Sequence, residues 1–229
     1  MQGPDQLPLY YSKSLDKSDI VNIEVIRHFM GKNGDLSEWG FKWDYTDKDL
    51  EMGQPKSPII KTWDDLKNFK VPDAYDKTRF LGMESYRDKL GNDKYYIAYF
   101  VLSGFTIMSL LRGVSETLED LYINREEIEH LADMVFGFEE EIIKQAKDYG
   151  FDAVGLVDDW GTQQSLLISP KLWREIFKPR YKKQIDLAHQ HGLDVFLHSC
   201  GYIYDIIPDL IEIGLDMLNL GQPNLNNIK

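Results

Sequence analysis

Three times in its second half the chain repeats one short unit, and that repeat limits the folds open to it. Gly150-Phe151-Asp152-Ala153-Val154, Gly192-Leu193-Asp194-Val195-Phe196 and Gly214-Leu215-Asp216-Met217-Leu218 each run from a glycine through an apolar residue and an aspartate into an apolar segment. A helical pattern precedes each, over residues 125–149, 170–191 and about 204–213. The first of these helices has Asn124 as its N-cap, an acidic first turn, and an inward stripe of Ile128, Leu131, Val135, Phe138, Ile142, Ala146 and Tyr149. Ser169 and Pro170 open the second, and Pro179 should bend or break it near Lys178. Helix-to-strand returns of this kind, with strands apolar throughout, give a parallel sheet buried on both faces. A (β/α)8 barrel and a doubly wound sheet both satisfy the pattern. No Gly-rich phosphate fingerprint follows any of the strands, which weighs against dinucleotide binding.

The first half is less regular. Residues 1–18 read as an irregular arm and 19–229 as one domain. From Asp19, the apolar positions Ile20, Ile23, Ile26, Phe29 and Met30 fit one face of a helix, closed by Gly31 and Gly34. Trp39, Phe41, Trp43 and Tyr45 alternate with other residues as in a strand or hairpin arm, and Met52–Pro58 reads as a loop. Thr62 followed by Asp65 opens a short helix through about Phe69, and Gly82–Leu90 forms a surface helix ended by Gly91. Tyr95–Val101 is an apolar run of strand length, and Leu102-Ser103-Gly104-Phe105-Thr106 turns the chain into a helix through Leu111.

With 229 residues, 43% hydrophobic and 28% charged, the chain can bury a sizeable core. A single cysteine excludes an internal disulfide framework and fits a reducing cytoplasm, the expected location. The start shows neither a basic segment nor an apolar one of the kind that directs export, and no later run approaches a membrane span. A net charge of −12 argues against nucleic acid or an anionic membrane as partner, because phosphate contacts need clustered Lys and Arg. A small-molecule substrate is the expectation that remains.

In parallel α/β folds ligands gather beyond the carboxyl ends of the strands, and those positions are unusually polar here. They offer Ser103, Phe105 and Thr106 after the first apolar run, and Asp158, Asp159, Trp160 and Gln163 after the second; His198 and Cys200 follow the third and Asn219 the fourth. Side chains alternate along a strand, so Phe196, His198 and Cys200 share one face. His-x-Cys at a strand end offers an imidazole and a thiolate to an ion such as zinc; the alternative is a core cysteine and a hydrogen-bonded histidine. Adjacent Asp158 and Asp159 face opposite ways, so one reaches substrate while the other turns to the helix layer, unless either caps a helix or holds an arginine. Glu139, Glu140 and Glu141 read as a solvated helix face, and His189 and His191 as surface residues at a helix end.

Taken together, Asp158-Asp159-Trp160-Gly161-Thr162-Gln163, the stretch Ile168-Ser169-Pro170-Lys171-Leu172-Trp173-Arg174-Glu175-Ile176-Phe177-Lys178-Pro179-Arg180-Tyr181 and His198-Ser199-Cys200-Gly201 resemble the uroporphyrinogen decarboxylase superfamily. Trp39-Gly40-Phe41 and Met52-Gly53-Gln54-Pro55 resemble its methyltransferase-like branch. The resemblance runs from about residue 20 onward and implies a (β/α)8 TIM barrel. Because members are longer, it also implies that the barrel in this chain is incomplete.

Two chemistries are implied. The cobamide-dependent methyltransferases hold zinc by His-x-Cys and a later Cys, and activate a thiol that takes a methyl group from a methylated corrinoid, free or borne by a corrinoid protein. His198 and Cys200 match the pair, and the later Cys has no counterpart here. A carboxylate such as Asp158 or Asp159 must then complete the set, or a residue outside this sequence. The decarboxylases act on uroporphyrinogen without a cofactor, using an Asp and an Arg-rich N-terminal motif that is missing here. Asp158 or Asp159 would then stabilise charge while Ser103, Thr106 or His198 placed carboxylates. A third expectation is a truncated piece without catalysis of its own, and the resemblance leaves room for a homo-oligomer.

Overall fold

The computed structural model describes residues 8–11, 13–30, 34–44, 54–55 and 57–227. In chain order its elements are β1 (Ile20–Glu24), β2 (Trp43–Asp44), β3 (Gln54–Pro55), α1 (Trp63–Asn68), α2 (Gly82–Leu90), β4 (Tyr95–Phe100), α3 (Gly104–Arg112), α4 (Val114–Ile123), α5 (Arg125–Ala146), β5 (Ala153–Val157), α6 (Pro170–Ile176), α7 (Lys178–Gln190), β6 (Asp194–Ser199), α8 (Ile207–Glu212) and β7 (Met217–Leu220). Five of the strands make one parallel sheet in the order β1-β4-β5-β6-β7, open at β1 and β7. No helix among the described residues is long and apolar enough to cross a membrane.

The repeated unit has a mechanical explanation. Gly150, Gly192 and Gly214 have φ of 90°, 68° and 92°, the left-handed turn that lets a helix stop and the chain swing back to the sheet. The aspartate that follows ties the new strand to its neighbour: Asp152 accepts from Tyr96 N at 2.9 Å, and Asp216 accepts from Val195 N at 2.8 Å. The expected break at Pro179 is also present, since α6 ends at Ile176 and α7 begins at Lys178.

One face of the sheet is sealed by helices. Val21 and Ile23 of β1, Tyr96, Ala98 and Phe100 of β4, Val154 and Leu156 of β5, and Val195 and Leu197 of β6 lie on that side, in a single apolar core. Helix α5 packs against α3, α4 and α7 there. The alternate positions form the opposite face. Cross-strand register aligns Glu24, Tyr99, Gly155, Phe196 and Met217 in one row, and Val157, His198 and Asn219 in the next row toward the carboxyl ends.

Four expectations need correction or refinement. The helix expected from Ile20 to Met30 is strand β1, running into the buried residues Val25 and Ile26. The β-branched residues Ile20, Val21, Ile23 and Val25 fit a pleated strand better than a helix, and Val21, Ile23 and Val25 alternate inward with period two. Gly31 of that segment lies outside the described residues. Glu139 and Glu140 are buried rather than solvated: Glu139 accepts from Gly104 N and Gln184 Nε2, each at 2.7 Å, and Glu140 pairs with Lys183 at 2.7 Å. Asn124 precedes α5 as expected, but its side chain donates to Asp120 at 2.6 Å instead of capping the helix. In the aromatic arm, Trp39, Phe41 and Trp43 are all buried and Trp43 pairs with Pro55 across β2 and β3. Tyr45, Met52 and Gly53 lie outside the described residues.

Burial pushes Glu139 up to about 8 from an ordinary 4.5, against the opposing pull of Gly104 N–H and Gln184. Gln184 Oε1 is itself buried without a partner, and a flipped carboxamide would accept from the protonated acid. Because the folded value lies above the unfolded one, the contribution of neutral Glu139 to stability is complete below about pH 4.5 and lost as pH rises through about 8. Thermal melts from about pH 6 to about pH 9 should therefore show a shallower decline for Glu139→Gln than for the wild type. Parallel profiles would contradict this.

Candidate metal centre

At the carboxyl ends of β5 and β6 the chain brings together three groups that could hold a metal ion. Asp159, His198 and Cys200 each offer one ligand atom, and these atoms lie within 4.8 Å of one another. His198 and Cys200 share a face because they are two residues apart at a strand end, and Cys200 Sγ lies 3.4 Å from His198 Nε2. Asp159 reaches them from the neighbouring strand, its Oδ1 accepting from Cys200 N at 2.8 Å. The second imidazole nitrogen is already engaged: His198 Nδ1 lies 2.6 Å from Asn219 Oδ1, one strand further on. Asn219 thus orients the ring and leaves Nε2 for a ligand.

The cysteine is held by what surrounds it. A Cβ on Gly221 would stand 2.8 Å from Cys200 Sγ, so glycine there leaves room for the sulfur. Gln222 Oε1 accepts from Gly201 N at 2.7 Å, and Asn226 Nδ2 donates to Gly201 O at 3.0 Å, which fixes the turn after Cys200. Burial, and then the charge of Asp159, push the Cys200 thiol up to about 11. Without a cation nearby it stays protonated at neutral pH.

Asp158 faces the other way, into the helix layer, where no water reaches it. It accepts from Phe105 N, Thr106 N and Thr106 Oγ1, each at 2.8 Å, and from the Tyr181 hydroxyl in a short contact. Burial raises it to about 7 although all these donors pull it down. Gly104, at φ 47°, makes the approach feasible, since a Cβ there would meet Asp158 Oδ2 at 2.3 Å.

The other expected site residues divide between core and rim. Trp160 is fully buried, donating to the Tyr181 hydroxyl at 2.8 Å and stacking on the buried Phe105 at 4.6 Å between ring centroids. Ser103 is buried and stitches β4 to β5, its hydroxyl 3.0 Å from both Val157 N and Val157 O. Thr106 is half-buried between the two aspartates, and Gln163 is exposed on the turn closed by Thr162 N and Ser165 O. Of this group, Asn219 is the one hydrogen-bonded to a side chain of the triad, His198. Gln222 stands in the polar stretch past the fourth strand, without an assigned role, and Asn226 and Tyr181 are not singled out by sequence as site residues. The strand-end rule points at Gln222, whereas Tyr181 lies inside a helix and carries no local signal.

Backbone packing closes the junction between the two strand ends. Gly161 lies against Gly201, and a Cβ on Gly161 would stand 2.4 Å from Tyr202 N and 2.6 Å from Gly201 C. Gly161→Ala should cost about 1–3 kcal/mol in chemical denaturation. Gly137→Ala, in a helix with nothing within 4 Å of the added Cβ, should gain up to about 1 kcal/mol. Equal effects of the two changes would contradict this account of the junction.

Comparison with known proteins gives three findings. A family model described as Uroporphyrinogen decarboxylase (URO-D) matches residues 23–225. None of the curated proteins matches the chain. Among solved structures, a methyltransferase from Methanosarcina mazei is similar in fold, with a TM-score of 0.72 at 16% identity over 93% of this chain. The chain spans 63% of that structure's length.

Proposed function

Since the chain belongs to the uroporphyrinogen decarboxylase family, we propose that it serves a zinc-assisted methyltransferase that moves a methyl group from a corrinoid to a thiol. The observation that carries this reading is the convergence of Asp159, His198 and Cys200 within 4.8 Å. The donor set suits zinc, which takes carboxylate oxygen, imidazole nitrogen and thiolate sulfur, and three protein ligands leave a position for substrate. Two features of the chain fit a bound ion: Asn219 holds His198 Nδ1 so that Nε2 faces Cys200 Sγ, and Gly221 makes room beside that sulfur. Bound zinc supplies one thing, a cation that lowers the pKa of a coordinated thiol so that it is a nucleophile at neutral pH.

The chain's own residues do the rest. Asp159 and Cys200 meet from adjacent strands, and the Cys200 N–H fixes one oxygen of the carboxylate while the other stays available. His198, one row below, receives its orientation from Asn219. The group stands at the carboxyl ends of β5 and β6, where Asp159 is exposed and His198 and Cys200 are half-buried, within reach of a small substrate. A methylated corrinoid, free or carried by a partner protein, supplies the methyl group in this reading.

The second reading, decarboxylation of a uroporphyrinogen-like acid, draws on the name of the family model itself. The charge of the open face speaks against it. The strand residues and strand ends on that face include Glu24, Asp159 and Asp194 and, among the described residues, no lysine or arginine, which leaves His198 as the side chain there that could pair with a carboxylate.

Metal analysis after zinc loading should find stoichiometric zinc in the wild type and its loss in Cys200→Ser and Asp159→Ala. Asn219→Leu, which frees the imidazole, should weaken zinc binding about 10–100-fold. Undiminished zinc in Cys200→Ser would overturn the assignment. Methylcobalamin and a small thiol should yield thioether only with zinc-loaded protein, whereas carbon dioxide release from uroporphyrinogen by metal-stripped protein would favour the second reading.

A further inference from the structure

Asp159 is set in place from behind by a residue of another element. Four successive amides leave the end of β5, and three of them bond to β6 and the turn beyond it: Asp158 N to His198 O at 3.0 Å, Trp160 N to Ser199 Oγ at 3.1 Å, and Gly161 N to Cys200 O at 3.2 Å. The Asp159 amide turns the opposite way and donates to Thr106 Oγ1 on α3 at 3.2 Å. The single proton of that hydroxyl goes to Asp158 Oδ1 at 2.8 Å. Thr106 therefore joins the buried carboxylate of one aspartate to the backbone of the next. Asp158 is itself held by Phe105 N, Thr106 N and the Tyr181 hydroxyl, with Gly104 clearing the space beside it.

We propose that Asp158 and Thr106 are positioning residues for the metal centre. They fix the peptide between Asp158 and Asp159 so that the Asp159 carboxylate stands beside His198 and Cys200. The proposal extends the metal reading above and rests on it for one of its two tests. Asp158 has no route to the open face, so its part is played through the Thr106 hydroxyl, and removing that hydroxyl leaves the Asp159 N–H without its acceptor. The peptide can then rotate and carry the carboxylate away from Cys200 N.

Two substitutions isolate the hydroxyl: Thr106→Val replaces it with a methyl group of similar size, and Thr106→Ser keeps it. The first readout needs no metal. Hydrogen exchange at the Cys200 amide, whose acceptor is Asp159 Oδ1, should be about tenfold or more faster in Thr106→Val, with the Leu197 amide in β6 unchanged. The second readout is cobalt(II), whose affinity should fall about 10–100-fold in Thr106→Val together with a change in its visible absorption bands. Thr106→Ser should match the wild type in both. Unchanged Cys200 exchange in Thr106→Val overturns the proposal whatever cobalt does. Equal losses in the valine and serine variants also overturn it, because they assign the effect to packing of the methyl group. A wild type that binds no cobalt yet shows the expected exchange pattern upholds the positioning of Asp159 and overturns the metal reading alone. Should Thr106→Val fail to fold, Thr106→Ala gives the same comparison with less bulk.

Discussion

A carboxylate shut away from water must find donors inside the protein, and Asp158 finds four. Two are amides at the start of α3, one is the Thr106 hydroxyl and one is the phenol of Tyr181 on α7. A single side chain at the end of β5 thereby binds the first turns of two helices. Glu139 completes the arrangement by taking the Gly104 N–H. Two buried acids thus hold the first three amides of one helix. These bonds have no competitor in water, since Asp158 is fully buried. Asp159, the next residue, faces outward, its amide donating to Thr106 Oγ1.

Much of this architecture was legible in the sequence because it rests on local rules. Glycine after a helix followed by apolar-Asp-apolar marks a left-handed stop and a strand tied to its neighbour, and Asp152 and Asp216 perform that tie. Alternation along β6 placed His198 and Cys200 on one face, and opposition at a strand end sent Asp158 and Asp159 to opposite sides. What could not be read depended on partners distant in sequence. Residues Ile20 to Met30 fit a helical spacing as well as a strand, and only pairing with β4 decides between them. The run Glu139 to Glu141 looked solvated because nothing local reveals that Gly104, Gln184 and Lys183 wait opposite. Trp160 and Phe105, placed by rule at strand ends where substrates gather, fill the core between sheet and helices instead.

The candidate centre also shows how acidity and metal chemistry fit together. A thiol half-buried beside a carboxylate resists ionisation, and a cation at that spot reverses the preference. Among the described strand residues the same face carries no lysine or arginine, so a divalent ion would add positive charge beside His198 near substrate. Membership of the uroporphyrinogen decarboxylase family and a fold shared with a Methanosarcina mazei methyltransferase agree with the open parallel sheet seen here. The choice between the chemistries named above then turns on whether zinc is held by this chain's one thiol.

Zinc K-edge X-ray absorption on the loaded protein, prepared without added thiol, addresses that choice most directly. One sulfur at about 2.3 Å with nitrogen and oxygen neighbours at about 2.0–2.2 Å is the expected shell. A shell of nitrogen and oxygen alone would leave Cys200 outside the site and contradict the account.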